Sequence, residues 1–257
     1  MKIVVAIKQV PDSAAKVVVD GGRVTWGDAP LVLNPWDEYA MEAAMMQADN
    51  LGADVVAISV GEESAKEALK TALAMGAREA ILISDPALVN ADSQAVARVL
   101  AAAIKKIDQV ELAFFGRQAI DGDMGVTAAQ TARVLGWPML SLVAAIQSIG
   151  DGVIRAERTF EEGRQVVESQ LPAAVSVSKD IGEPRYPSFM GIRKAARAVI
   201  PTWNLSDLGM SAPAIVVKWP EVLNPPVRQV TTEMITGSSP QEIAEILADK
   251  ILAEKVL

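Results

Sequence analysis

The sequence predicts an α/β fold: a doubly wound, mostly parallel sheet with an antiparallel extension, followed by a C-terminal arm and helix. Three observations carry this. Continuous apolar runs at Ile3–Ile7, Val55–Ser59, Ala80–Ser84 and Leu112–Gly116 suit strands covered on both faces. Between them lie Glu38–Asn50, Ala65–Met75 and Ser93–Lys106, where Ala, Leu, Met and Val recur at helical spacing, supplying the crossovers that parallel strands need. Past Pro138 the texture changes to short strands separated by turn residues, as in an antiparallel meander.

Each element has its own signals. Asp37 is placed to cap a helix starting at Glu38, and Gly52 stands where a C-terminal glycine closes it. Ser64 with Glu67 reads as a capping box, and Gly76 ends that helix after Met75. Thr127–Leu135 forms a fourth helix, stopped by Gly136 and Pro138. Leu140–Ile146, Val153–Thr159 and Gln165–Gln170 form the meander around Gly150-Asp151-Gly152 and Glu162-Gly163, and Ala173–Lys179 returns to a buried strand. From Glu183 to Pro226 prolines are frequent and periodicity is weak, which predicts an extended arm. Pro240–Leu257 reads as an amphipathic helix with Ile243, Ile246, Leu247, Ile251 and Leu252 on one face. Spacing leaves open whether that face docks on the chain's own sheet or on a partner.

Composition excludes more than it assigns. The chain of 257 residues contains no His and no Cys. Ser-His-Asp hydrolysis, thiol chemistry, zinc fingers, Cys-held iron–sulfur clusters and His-held haem therefore lack their side chains. Neither catalytic residues nor metal ligands are expected, and any redox work falls to an organic cofactor or a partner. A formal charge of −8 argues against a nucleic-acid partner or an anionic membrane surface. No stretch reaches the roughly 18 apolar residues of a membrane span, and the apolar run at the N-terminus is too short for a signal peptide. A cytoplasmic or organelle-matrix location is the expectation.

Neither G-x-G-x-x-G nor G-x-x-x-x-G-K-[ST] occurs. In a doubly wound sheet, ligands still bind beyond the carboxyl ends of the strands. Four loops leave or adjoin such ends: Lys8–Ser13, Leu33–Asp37, Ser59–Ser64 and Gly116–Thr127. The last precedes a helix whose first-turn N–H groups suit a phosphate, with Gly122 and Gly125 allowing close approach and Thr127 offering a hydroxyl. Asp121 and Asp123 disfavour a highly charged polyphosphate unless they bind ribose or cap the helix. Turns are enriched in the same residues, so residue chemistry alone leaves open a plain turn and cap. Trp36 equally fits a core or interface aromatic.

Ala6-Ile7-Lys8-Gln9-Val10-Pro11-Asp12, Asn34-Pro35-Trp36-Asp37-Glu38, Thr71-Ala72-Leu73-Ala74-Met75-Gly76-Ala77, Gly116-Arg117-Gln118-Ala119-Ile120-Asp121-Gly122-Asp123 and Glu183-Pro184-Arg185-Tyr186 occur in one order over nearly the whole chain. As a set they resemble the β subunit of electron transfer flavoprotein, the FixA family. The resemblance implies an adenine nucleotide α-hydrolase-like core and an αβ heterodimer with one redox-active FAD held mainly by the α subunit. Electrons would pass from acyl-CoA-type dehydrogenases, as in fatty acid oxidation, to a quinone oxidoreductase or another acceptor. It also implies a structural AMP bound by Ala6, by Asn34, Pro35, Trp36 and Asp37, by Val60, and by the run Gly116, Arg117, Gln118, Ala119, Ile120, Asp121, Gly122, Asp123, Met124, Gly125, Val126 and Thr127. Trp36 would lie toward the α-bound flavin.

The family's partner-docking loop corresponds to Pro187–Arg197, with Phe189, Met190 and Ile192 as apolar tip and Arg193, Lys194 and Arg197 as basic flank. Its anchor is usually Leu rather than Phe189, and the basic cluster is thinner here than in many members. Many members carry Asn in place of Gly125, and Gly-Gln in place of Ala128-Ala129. A bifurcating subgroup binds a second FAD instead of AMP and typically begins this loop Asp-Gly-Asp-Thr. Asp121-Gly122-Asp123-Met124 lacks that Thr, and Thr127 fits the AMP pattern better. The expected division is a nucleotide-binding core at 1–184, a recognition loop and arm at 185–236, and a helix at 237–257 docking on the partner subunit. Two other classes also fit an α/β sheet. A stand-alone ATP- or AMP-binding module similar to universal stress proteins would not need the long arm, and an adenylating or hydrolysing enzyme would need a phosphate loop that is missing.

Overall fold

Alternation within the apolar runs decides the layering. The computed structural model describes residues 1–219, 221–224, 226 and 230–255. The chain begins with β1 (Lys2–Ala6), then β2 (Gln9–Pro11), β3 (Val18–Asp20), β4 (Arg23–Thr25) and β5 (Leu31–Leu33). It continues through α1 (Pro35–Leu51), β6 (Asp54–Val60), α2 (Lys66–Met75), β7 (Glu79–Ile83), α3 (Ser93–Lys106), β8 (Val110–Phe115) and α4 (Thr127–Leu135). Next come β9 (Met139–Gly150), β10 (Val153–Phe160), β11 (Gly163–Gln170), β12 (Ala173–Val177), α5 (Phe189–Ala195), β13 (Thr202–Trp203) and α6 (Pro240–Ala253).

Nine strands form one sheet in the order β11-β10-β9-β12-β8-β1-β6-β7-β13. All neighbours from β9 to β13 run parallel, and the β9–β10–β11 meander is the antiparallel extension. Ile3 and Val5 point into a core shared with α1 and α2, while Val4 and Ala6 point into a second core with α3 and α4. Successive side chains of a strand face opposite ways, so the continuous apolar run fills two cores at once.

Several local expectations are corrected. Helix α1 starts at Pro35, with Asn34 at its N-cap, rather than at Glu38; Asp37 sits in the first turn and caps nothing, because its carboxylate accepts the Lys8 N–H. Pro suits that first position, having no N–H to leave unpaired. The Ser64–Glu67 capping box does not form: Glu63–Ala65 is a short 3₁₀ turn, and α2 follows it with Ala65 at its N-cap. The loop expected at Lys8–Ser13 contains β2, which pairs antiparallel with β5, while β3 and β4 form a separate ribbon. Three-residue strands are too short to show a period.

The expected arm at Glu183–Pro226 is structured in part: α5 packs on α2, and β13 extends the sheet beside β7. Pro220 and Pro225 of that arm lie outside the described residues, as do Val256 and Leu257 of the expected terminal helix. Arg185 fixes the start of the arm. Its guanidinium and its N–H grip Glu42 at 2.8 to 3.0 Å and its fork reaches Asp49, both carboxylates on α1. Burial alone raises the Glu42 carboxyl, but these bonds bring it below its ordinary value.

The chain divides into two compact units, Met1–Val222 and Leu223–Leu257. In the second, α6 is capped by Ser239, whose hydroxyl accepts the Glu242 N–H, and Lys250 pairs with Glu233. Leu247, Ile251 and Leu252 on α6 are exposed.

In the first unit, Gly191 marks where α5 meets α2: a Cβ there would collide with the Ala74 carbonyl oxygen. Backbone at this position leaves no slack, so Gly191→Ala is expected to cost about 1–3 kcal/mol of stability and displace α5. Denaturant unfolding of the variant measures the cost, and an unchanged midpoint contradicts this packing.

Candidate functional site

The chain runs from β1 outward through β6 and β7, then returns to β8 on the other side of β1. At such a reversal the loops leaving β1 and β8 part in opposite directions and open a crevice at the carboxyl ends of the strands. A cavity of about 290 Å³ occupies it. Ala6, Ile7 and Lys8 from the end of β1, Val60 from β6 and Asp37 from α1 line it, together with Phe115 and the loop that follows β8.

Two buried polar side chains hold the junction. Asn34 is fully buried; its Nδ2 donates to the Gln118 carbonyl at 2.8 Å and its Oδ1 accepts the Ile120 N–H at 3.2 Å. The side chain before α1 thus clamps the loop after β8. Asp37 Oδ2 accepts the Lys8 N–H at 2.8 Å, and the Gly116 N–H is a further donor to its carboxyl. Gly116 must be glycine, since a Cβ would collide with Asp37 Oδ1 and lie 2.7 Å from the Trp36 carbonyl. Burial pushes the Asp37 carboxyl up to about 7, although the donors from Lys8, Asn34 and Gly116 and the Lys8 charge pull the other way.

The loop after β8 is shaped by its aspartates. Asp121 pairs with Lys8 Nζ at 2.6 Å, linking the loops from β1 and β8. Asp123 has φ 53° and accepts from Gln118 Nε2 at 2.6 Å; Gly125 has φ 62°, a left-handed value that favours glycine. Neither aspartate caps α4. Val126 stands at the N-cap with no side-chain bond to the helix, and Thr127 and Ala128 line the cavity. The unpaired N–H groups of the first turn, the helix dipole and the Thr127 hydroxyl together suit an anion of modest charge.

Of the residues expected at the site, Ala6, Asp37, Val60, Gly116 to Ala119, Asp121 to Gly125 and Thr127 surround this one cavity. Asn34, Pro35, Trp36, Ile120 and Val126 are not in its wall. Asn34 acts from behind, and Trp36 lies half-buried with the Arg117 guanidinium over its ring at 5.5 Å and Tyr39 beside it at 6.2 Å. Sequence reasoning missed the opposite wall, formed by Ala91, Asp92, Ser93, Val96 and Leu100 around the start of α3, and by Val217 and Trp219 from the arm. Asp92-Ser93 before an amphipathic run is a readable helix start beyond the end of β7; the arm residues carry no local signal. Among the described residues no cluster of acidic side chains could hold a metal ion, and no helix is long and apolar enough to cross a membrane.

A family model described as the electron transfer flavoprotein domain matches residues 27–208, most of the chain. The chain belongs to the electron transfer flavoprotein family, among the β-subunit and FixA sequences. It is 38% identical over 264 residues to the caffeyl-CoA reductase-Etf complex subunit CarD of Acetobacterium woodii, covering all of both chains. It is 39% identical over 210 residues to the electron transfer flavoprotein subunit beta of Clostridium acetobutylicum, covering 81% of this chain and 80% of that one. Protein FixA of Bradyrhizobium diazoefficiens is 32% identical over 267 residues, with 98% and 91% covered.

A second surface of this family member stands out on an acidic protein. On α5, capped by the Ser188 hydroxyl at 2.9 Å from the Gly191 nitrogen, Phe189, Met190 and Ile192 are 79%, 68% and 52% exposed. Arg193, Lys194 and Arg197 beside them are exposed as well. The short helix presents apolar and basic side chains together.

The raised Asp37 carboxyl has a defined linkage. The unfolded chain loses this proton near 3.8 while the folded chain keeps it to about 7, so the associated stability is complete below about pH 4 and is lost as pH rises toward 7. Wild-type protein should lose up to about 1.4 kcal/mol per pH unit across that window beyond any loss in Asp37→Asn. Urea unfolding at a series of pH values tests this; parallel pH profiles for the two proteins contradict it.

Proposed function

We propose that this chain is the β subunit of a heterodimeric electron transfer flavoprotein. It holds AMP in the strand-end cavity and covers an FAD carried mainly by the α subunit. The observation that carries the nucleotide assignment is the cavity itself. It lies at the reversal of strand order, exposes the uncapped start of α4 with Thr127, and has a mostly apolar interior with Ala6, Val60, Phe115 and Leu100 for a base. At about 290 Å³ it sits near the lower end of small-molecule sites, the size of a mononucleotide rather than a dinucleotide. Asp121 and Asp123 leave it unsuited to a polyphosphate and able to meet ribose hydroxyls.

The flavin supplies the redox chemistry. This chain's residues orient, cover and dock: Trp36 lies toward the flavin, the cavity fixes the nucleotide with Arg117 in its wall, and α5 meets the electron donors. Acyl-CoA-type dehydrogenases are the donors, and a quinone oxidoreductase or another acceptor takes the electrons, in the cytoplasm or an organelle matrix. A second reading, a bifurcating flavoprotein with FAD in place of AMP, draws support from the full-length similarity to a subunit named for a caffeyl-CoA reductase-Etf complex. The exposed run Asp121–Gly125 leaves an open side along which a longer nucleotide could extend.

Extraction of nucleotides from the purified complex, followed by chromatography, separates the readings. One FAD and one AMP per heterodimer are expected; two FAD and no AMP select the second reading, and absence of flavin overturns electron carriage. For the docking surface, Phe189→Ala should slow reduction by the donor dehydrogenase about tenfold or more, as for an exposed hot-spot aromatic, with flavin content unchanged. Stopped-flow reduction measures it, and unaltered kinetics remove Phe189 as the anchor.

A further inference from the structure

Beyond the strands and loops that form the cavity, one wall comes from the arm. Asp92 makes two sets of bonds at once. Its Oδ1 accepts the Ala95 N–H at 2.8 Å and caps α3, while its Oδ2 accepts the Val216 and Val217 N–H groups at 2.7 and 2.8 Å. One carboxylate thereby fastens the arm across the start of α3. Bonds from backbone N–H groups to an ionised carboxylate are stronger than neutral ones, and these hold Asp92 below the usual carboxylate range.

The fastened segment carries Val217 and Trp219 to the cavity, yet Val217 remains 45% and Trp219 73% exposed. An indole that lines a cavity while most of its surface is uncovered has a free face for a planar ligand group. The residues before this segment are tied down independently: Leu205 donates its N–H to Asp85, and Asn204 and Asp207 bond each other. The strap therefore has an anchor upstream and a latch at Asp92.

We propose that the segment around Val216–Trp219 is a retaining strap for the ligand in the cavity, with Asp92 as its positioning residue and Trp219 as a contact for the ligand's planar base. This rests on the reading of the cavity as a nucleotide site. The strap adds a wall that none of the strand-end loops supplies, and it makes release of the ligand depend on a contact distant in sequence from the rest of the site.

Asp92→Asn is the informative change, because Asn still caps a helix but cannot offer a full carboxylate oxygen to two N–H donors. The purified complex with its partner subunit is loaded with labelled AMP and chased with unlabelled AMP. Hydrogen exchange at Val216 and Val217 is followed in the same samples. Asp92→Asn is expected to speed amide exchange at both positions and AMP release by about tenfold, the worth of one charge-assisted bond. Trp219→Ala is expected to speed release with exchange at Val216 unchanged. AMP binding with release unaffected by both substitutions overturns the strap alone, as does unchanged exchange in Asp92→Asn. A wild-type complex that binds no AMP overturns the AMP reading of the cavity, and the strap proposed for that ligand with it.

Discussion

The site depends on a carboxylate and an amide buried where two parallel strands end. β1 and β8 are neighbours, and their chains leave the sheet in different directions, exposing backbone N–H groups that have no ladder partner. Asp37 takes up the donors at Lys8 and Gly116, and Asn34 ties the loop after β8 through both its amide atoms. These two residues lie within one turn at the start of α1, so the placement of that helix and the shape of the cavity are a single problem. Burying a carboxyl is unfavourable, as its raised proton affinity shows, and the hydrogen bonds only partly offset it. The geometry that results could not be had with an apolar side chain, because the strand-end N–H groups would be left unpaired.

Much of the sheet was legible in the sequence. Strands covered on both faces show as apolar runs, and the helices between them show the helical period, so the parallel core emerges with β1, β6, β7 and β8 within two residues of their expected ends, while α1 starts three residues earlier and β9 runs four residues further than expected. Helix starts were less legible, for a physical reason. Asp37 and Ser64 have the chemistry of caps, but Asp37 is consumed by a tertiary bond to Lys8, and Ser64 lies inside a 3₁₀ turn. Tertiary partners outcompeted the local ones. α5 was illegible because Gly191 lowers its helix propensity; what stabilises it is close packing on α2, which glycine alone permits.

The cavity divides in the same way. The half built from loops contiguous with strand ends could be assembled from the sequence, since glycines, aspartates and Thr127 cluster there. Asn34 and Trp36 belong with that half but act from outside its wall. The other half is made by residues far apart in the chain, Asp92 to Leu100 and Val217 with Trp219, joined by a carboxylate bonding two backbone N–H groups. Nothing local marks Val217 or Trp219, because their role arises only from where the arm is fastened.

Arg185 carries a further implication. By gripping Glu42 and Asp49 just before α5 begins, and with Gly191 seating α5 on α2, the fold gives up the conformational freedom of this segment during folding rather than on encounter. An exposed apolar tip on a loose loop would have to be ordered by every partner it met. Here Phe189, Met190 and Ile192 stand on a rigid pedestal, so a brief contact of small area can still be specific. In the docking role proposed for this surface, rapid and shallow encounters of that kind would suffice.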